Sequence, residues 1–275
     1  MQTNCSPSRL PDTSRLVSKD DTPLDFFTQS QARLLTSPLY ASWSAPPLDA
    51  GGAKRSFEVF ANVGVFASVH EPPVVPDVML SLDITLTNEF MRLPNSAYFL
   101  WEFGKFPEIV IEIISEGEDD ELTQKISRYR QMGIKYCAVY DPEKQRSHAA
   151  LRSYELRGDV YVEIDSHVYA PIGLGLKEWH GKHERHVRTW LRWCTNDGRL
   201  IPTSEEHLEE AQKYADEAQK YADEAQKRMT DGTRGRAEDA DKRADDERKR
   251  AEDADKRAAA LADRLRALGI DPNAI

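Results

Sequence analysis

The sequence lacks the features that announce secretion, membrane insertion or a disulfide framework. Its three cysteines, Cys5, Cys137 and Cys194, lie far apart with no CxxC pair, which excludes a disulfide-built scaffold and points to a reducing compartment. No apolar stretch approaches the roughly 20 residues of a membrane span, and no N-terminal run resembles a secretory leader. A cytoplasmic protein without a membrane partner is expected. The glycines fall in neither a phosphate-loop nor a dinucleotide-binding spacing. Positive charge is also in short supply, with 37 Lys and Arg against 47 Asp and Glu and a net charge of −10. That balance argues against tight, sequence-blind binding of nucleic acid through a global positive field. It does not argue against a site built from carboxylates and a divalent ion, which is acidic before the ion arrives.

What is present is unevenly spread. Up to about Asn196 the chain is aromatic-rich and strand-like, whereas from Ser204 it consists mostly of Ala, Glu, Asp, Lys and Arg. Three regions are expected: a polar, Pro/Ser-rich and poorly ordered segment over 1–22, a folded domain over 23–203, and a charged helical tail over 204–275. Within the domain, an amphipathic helix is expected around Leu24–Leu35, followed by a Pro/Gly-rich connection from Ser44 to Gly52. Strands are expected at Gly64–Val69, Asp77–Ile84 and Glu108–Ser115. A helix fits Asp119–Met132, with acids at its start and Gly133 past its end. Tyr136–Tyr140 reads as a buried strand, Leu151–Leu156 and Val160–Ile164 as a hairpin, and His186–Trp193 as a further strand. This order predicts an α/β domain with a mixed sheet.

The tail is strictly periodic. AQKYADE repeats from Ala211, so that Ala211, Ala218 and Ala225 share one heptad position and Tyr214 and Tyr221 the position three later. After a break at Gly232 and Gly235, Ala237, Ala244, Ala251, Ala258 and Leu265 recur at sevens, with Leu261 and Leu268 three residues after the last two. The pattern is that of an alanine-seamed coiled coil, but also of a solvated helix held by i,i+4 charge pairs.

The chemistry concentrates around Glu112. The run EIVIEIIS is apolar on both alternating faces, so the strand is buried on both sides and Glu112 shares a face with Val110 and Ile114. A carboxylate there costs several kcal/mol unless it is paired, neutralised or bound to a metal. On the following helix, Leu122, Ile126, Tyr129 and Met132 form one apolar arc, and Lys125 falls inside it. Glu112 and Lys125 therefore both point inward. A simple ion pair accounts for both; a catalytic site accounts for them and for their position after a strand end. Asp77, opening its strand after Pro76, supplies a second carboxylate. Two carboxylates at neighbouring strand ends can hold Mg²⁺ or Mn²⁺ through oxygen ligands, while a lysine orients water or steadies transition-state charge.

These motifs resemble the Uma two family of restriction-endonuclease-like nucleases. The resemblance rests on PDVMLSLD, IVIEIIS, the K-x3-Y spacing, GIKYCAVYDP and, at the end of the chain, LRALGIDPN, and runs from about Leu34 to the C-terminus. It implies a core related to the PD-(D/E)xK fold, with Asp77 as the PD aspartate and Glu112 as the second acid. The usual lysine two residues beyond that acid is absent, since Ile114 stands there, and Lys125 matches the helix lysine that takes its role. Gln124 beside it is implied as an assistant. An early-helix glutamate has no convincing counterpart, Glu58 being the nearest candidate. The substrate implied is DNA, and the tail would pair two subunits or recruit a protein partner. The rival reading is a catalytically silent nuclease fold that serves as an interaction platform.

Weaker signals remain. His70, in HEPPVVPD, lies near Asp77 in sequence. Trp179–His186 places histidines at every third position and reads as a surface loop, either a basic rim with Arg188 and Arg192 or, less simply, a zinc site. Glu102, in the aromatic turn WEFGKFP, is a candidate supporting acid.

Overall fold

The computed structural model describes residues 25–47, 52–92, 97–114, 119–145 and 148–267. The elements run α1 (Phe26–Ser42), β1 (Phe57–Ala61), β2 (Val65–Phe66), β3 (Val78–Leu82), α2 (Asn88–Met91), β4 (Tyr98–Phe99), α3 (Leu100–Phe103) and β5 (Ile109–Ile113). They continue with α4 (Asp119–Met132), β6 (Tyr136–Tyr140), β7 (Leu151–Arg157), β8 (Val160–Glu163), β9 (Val168–Tyr169), β10 (Leu174–His183), β11 (His186–Thr195) and α5 (Ser204–Ala267). The expected segment 1–22, Cys5 and the residues from Leu268 onward lie outside the described residues. The chain divides into two compact units between His207 and Leu208. No helix among the described residues is long and apolar enough to cross a membrane.

A six-stranded mixed sheet in the order β1-β3-β5-β6-β7-β8 organises the first unit. β5 and β6 are parallel, joined by α4, and every other neighbouring pair in this sheet is antiparallel. The central strands are buried along their whole length because their side chains feed two cores. Ile109, Ile111 and Ile113 of β5 join Val78, Leu80, Ala138 and Tyr140 in one core, with Leu35 and Leu39 of α1 and Leu191 and Trp193 of β11. On the opposite face Val110 and Ile114 join Met79, Cys137 and Val139 beneath Leu122 and Tyr129 of α4. This two-sided burial is what the unbroken apolar run of β5 predicts.

α1 begins at Asp25, whose Oδ1 accepts the Thr28 N–H at 2.8 Å, a side-chain N-cap. It docks on β11 through Gln31, which is fully buried: its Nε2 donates to the Leu191 carbonyl at 2.7 Å and its Oε1 accepts the Leu191 N–H at 2.9 Å. Trp193 Nε1 donates to the Leu35 carbonyl at 2.7 Å. These bonds satisfy polar groups that are otherwise shut away from water.

Two expectations are corrected. The surface loop expected over Trp179–His186 is instead the end of a long hairpin, ten residues in each of β10 and β11. Its turn is Glu184–Arg185, with φ of 46° and 73°, the left-handed pair that a two-residue hairpin turn requires. Glu184 is held there by Arg33 at 2.6 Å and by Ser30 at 2.6 Å, both from α1. Gly181 is needed because the Trp179 ring lies over it; an added Cβ would stand 2.0 Å from that ring. His183 packs edge-on to Trp190, whereas His180, beside Thr189, and His186 are exposed on the hairpin. The second correction concerns the tail, where α5 runs unbroken from Ser204 to Ala267 through Gly232 and Gly235. Each glycine costs only about 1 kcal/mol in a helix interior, which the surrounding turns absorb, with Arg234 and Glu238 paired across the step at 3.0 Å. The start of α5 is a reciprocal cap: Thr203 Oγ1 accepts the Glu206 N–H at 3.1 Å and Glu206 Oε2 accepts the Thr203 N–H at 2.8 Å, a capping box.

Replacing Gln31 by Met keeps the volume and strands both backbone groups of Leu191. Urea unfolding should show a loss of roughly 2–6 kcal/mol, since each of the two buried unpaired groups costs about 1–3 kcal/mol; an unchanged midpoint would show that the amide is not what docks α1.

Candidate active site

Pairing of β3 with β5 sets Val78 opposite Ile111 and Met79 opposite Val110. One further step in that register places Asp77 opposite Glu112 on a shared face, a separation of about 5 Å between Cβ atoms in antiparallel sheets. Asp77 lies where β3 begins, just after Pro76, and its Oδ2 accepts the Ile113 N–H at 2.6 Å. The preceding loop is fixed from two sides. Val74 bridges Val65 by backbone bonds of 2.8 and 3.1 Å, and Arg128 of α4 donates to the carbonyls of Pro73, at 3.0 Å, and Pro72. The helix that carries the basic member of the site thus also restrains the loop that delivers Asp77.

Glu112 is only 3% exposed. Both of its oxygens are met from α4: Tyr129 OH donates to Oε1 at 2.5 Å and Lys125 Nζ lies 3.2 Å from Oε2. Lys125 and Tyr129 are four residues apart, the spacing that aligns side chains along one helix face, and Glu121, one turn earlier, lies 3.6 Å from the same ammonium. Burial first, and the negative field of Asp77 second, push the Glu112 carboxyl up to about 8, while Lys125 and Tyr129 pull it back. For Lys125 burial acts to lower the ammonium, but Glu112 and Asp77 outweigh it and the net shift is upward. Burial and the Glu112 charge raise the Tyr129 phenol. The same two causes raise the Cys137 thiol on β6, so it is an inert neighbour.

Lys125 and Tyr129 only partly counter what burial and Asp77 do to Glu112, so its ionised form is disfavoured without further positive charge. A divalent cation would favour that ionised form, and two facing carboxylates offer the hard oxygen ligands that Mg²⁺ or Mn²⁺ prefers. The facing oxygen donors of Asp77 and Glu112 fit such an ion as two of its ligands; among the described residues no group of three or more His, Cys, Asp and Glu gathers as a metal-binding cluster.

The remaining candidates stand elsewhere. Glu58 pairs with Ser81 in the register of β1 and β3, four residues and about 13 Å along the strand from Asp77; it accepts from Tyr40 OH at 2.9 Å and from the Leu86 N–H at 3.3 Å. Gln124, His70 and Glu102 are exposed. Sequence reasoning placed Tyr129 in the apolar arc and did not see that its hydroxyl serves Glu112; the Lys-x3-Tyr offset carried the signal. It gave Arg128 no role, although a loop rich in proline supplies free carbonyls for a guanidinium. Arg192 proved structural: 2% exposed, it pairs with both oxygens of Glu206 at 2.8 and 2.6 Å and faces the Trp179 ring at 4.6 Å.

The sequence model of a family described as "Uma2: Putative restriction endonuclease" matches residues 21–166. That span contains α1 through β8 and all three central residues, and ends before β9, the long hairpin and the tail, so the likeness to the C-terminus lies outside the match. No curated protein matches the chain.

Because the folded-state Glu112 carboxyl is raised toward about 8 from its ordinary 4.5, the folded state binds the proton more tightly than the unfolded chain. The stability this confers is full below about pH 4.5 and is lost as pH rises through about 8. With chelator present, the thermal midpoint of wild type should fall across that window, and Glu112→Gln should flatten the fall. A wild-type curve as flat as the variant's would mean that Glu112 is ionised throughout.

Proposed function

Because the chain belongs to the Uma2 family of putative restriction endonucleases, we propose that it is a metal-dependent endonuclease hydrolysing phosphodiester bonds in DNA. The observation that carries this reading is the buried Glu112 carboxylate, met by Lys125 and Tyr129 and faced across the strand pair by Asp77. An ion pair made only for stability is a poor use of such a position, since burying two charges costs several kcal/mol that well-packed apolar residues would not. Asp77 and Glu112 would hold Mg²⁺ or Mn²⁺. When bound, the ion supplies polarisation of the scissile phosphate and a lowered pKa for water. Tyr129 fixes the rotamer of Glu112, and the Ile113 N–H fixes that of Asp77. Lys125, protonated under all ordinary conditions, directs an N–H toward the attacking water or the phosphate oxygens and stabilises negative charge as it develops. The free buried thiols of Cys137 and Cys194 suit a cytoplasmic setting.

Two strands are cut most simply by two sites, and the tail offers a way to pair them. Ala211, Ala218, Tyr214 and Tyr221 are all exposed on α5, so a second helix laid along that stripe would cover them. The same exposed helix is the observation that favours the rival, a silent nuclease fold that docks a different protein.

Purified wild type should nick or linearise plasmid DNA with Mn²⁺, and Lys125→Ala and Asp77→Ala should lower that rate by at least about 100-fold, the scale of losing a principal charge-stabilising group. Equal activity in all three would assign it to another site or a contaminant, and inactivity across metals and substrates would favour the docking protein. Light scattering on the full chain should give twice the monomer mass; a monomer at high concentration would remove the pairing role of the tail.

A further inference from the structure

The row that holds the two carboxylates continues across the sheet. Glu112 is paired with Val139 of β6, and Val139 with Arg152 of β7. Directly paired residues project from the same face, so Asp77, Glu112, Val139 and Arg152 form one line on the face beneath α4. Arg152 stands two strands from Glu112, about 10 Å between Cα atoms.

Arg152 is half-buried, and its Nε is closed off without a hydrogen-bond acceptor. Its side chain meets the Tyr154 phenol on the same strand, and among the described residues it forms no ion pair. The comparison with Arg192 is direct. That buried guanidinium has a bidentate carboxylate and the Ile201 carbonyl at 2.8 Å, the full pairing a structural arginine needs. A partly buried guanidinium with an unsatisfied N–H and no counter-anion is under-paired by the same standard. A planar fork of N–H donors is the side chain best suited to a phosphate.

We propose that Arg152 takes a backbone phosphate of the nucleic acid beside the carboxylate pair, and so sets where the strand lies relative to Asp77 and Glu112. This rests on the nuclease reading and adds to it a substrate-contacting residue from β7, a strand outside the motif-bearing elements. Asp77 and Glu112 repel a phosphodiester until a cation joins them, so a fixed cation farther along the row gives the strand a purchase that does not depend on the ion.

The test is fluorescence anisotropy of a labelled DNA duplex over a salt series, in Ca²⁺, with wild type, Arg152→Gln and Arg152→Lys, each checked for an unchanged circular dichroism spectrum and melting midpoint. Losing one phosphate contact should weaken binding by about tenfold and lower the slope of log affinity against log salt by about 0.9. Arg152→Lys keeps the charge, so it should keep the slope and lose only part of the affinity. If wild type binds and cleaves while Arg152→Gln has the same slope and affinity, the assignment of Arg152 is overturned and the nuclease reading stands. If wild type binds no duplex at any salt concentration, both fall together. Should Arg152→Gln unfold, the slope and affinity of Arg152→Lys decide: wild-type affinity in that variant overturns a contact that needs the guanidinium fork.

Discussion

The structure is organised around the cost of keeping one carboxylate out of water. Glu112 sits on a strand buried along its whole length, and α4 offsets that cost by bringing an ammonium to one oxygen and a phenol to the other. The helix is held on the sheet by Leu122 and Tyr129 in the core below, and it holds the loop before Asp77 through Arg128. Strand, helix and loop are thereby tied to the same group of atoms. The parallel pairing of β5 and β6 follows from this, because α4 can cross over Glu112 only if the chain returns in the direction it came from.

The parts of this arrangement that were legible in the sequence are those where burial leaves a periodic trace. EIVIEIIS marks a strand covered on both sides, and the bounds expected for α4 and β6 are the observed ones. Glu112 and Lys125 stand out as charges in apolar positions, a contradiction that a sequence displays openly. β1 escaped notice because FEVFA is short and lies at the sheet edge, where only Val59 is fully buried. The hairpin of β10 and β11 escaped because its outer half is solvated, so that glycine, lysine and histidine hide the alternation. Its turn uses two non-glycine residues at positive φ, and what fixes them there is Glu184 reaching α1, a contact 151 residues away in sequence. Tyr129 was visible as an apolar residue and invisible as a donor, because the pattern of a helix face shows which side is buried and not what each hydroxyl meets. Gln31 was missed on similar grounds: a lone polar residue in a helix looks solvated until the backbone it serves is known.

Arginines illustrate how position alone decides role. Arg192 is closed in by Glu206 and Trp179 and secures the cap at the start of α5. Arg128 faces a proline-rich loop and binds carbonyls that have no strand partner. Arg152 lies on the same face as the carboxylate pair and forms no ion pair among the described residues. The same side chain is a brace in one place and a clamp in another within one small domain.

The uninterrupted course of α5 changes what its two repeat blocks present. From Ala225 to Ala237 the helix advances twelve residues through both glycines, and at about 100° per residue the second alanine stripe emerges rotated by about 120° from the first. The tail therefore presents its two alanine stripes on different sides of one continuous helix.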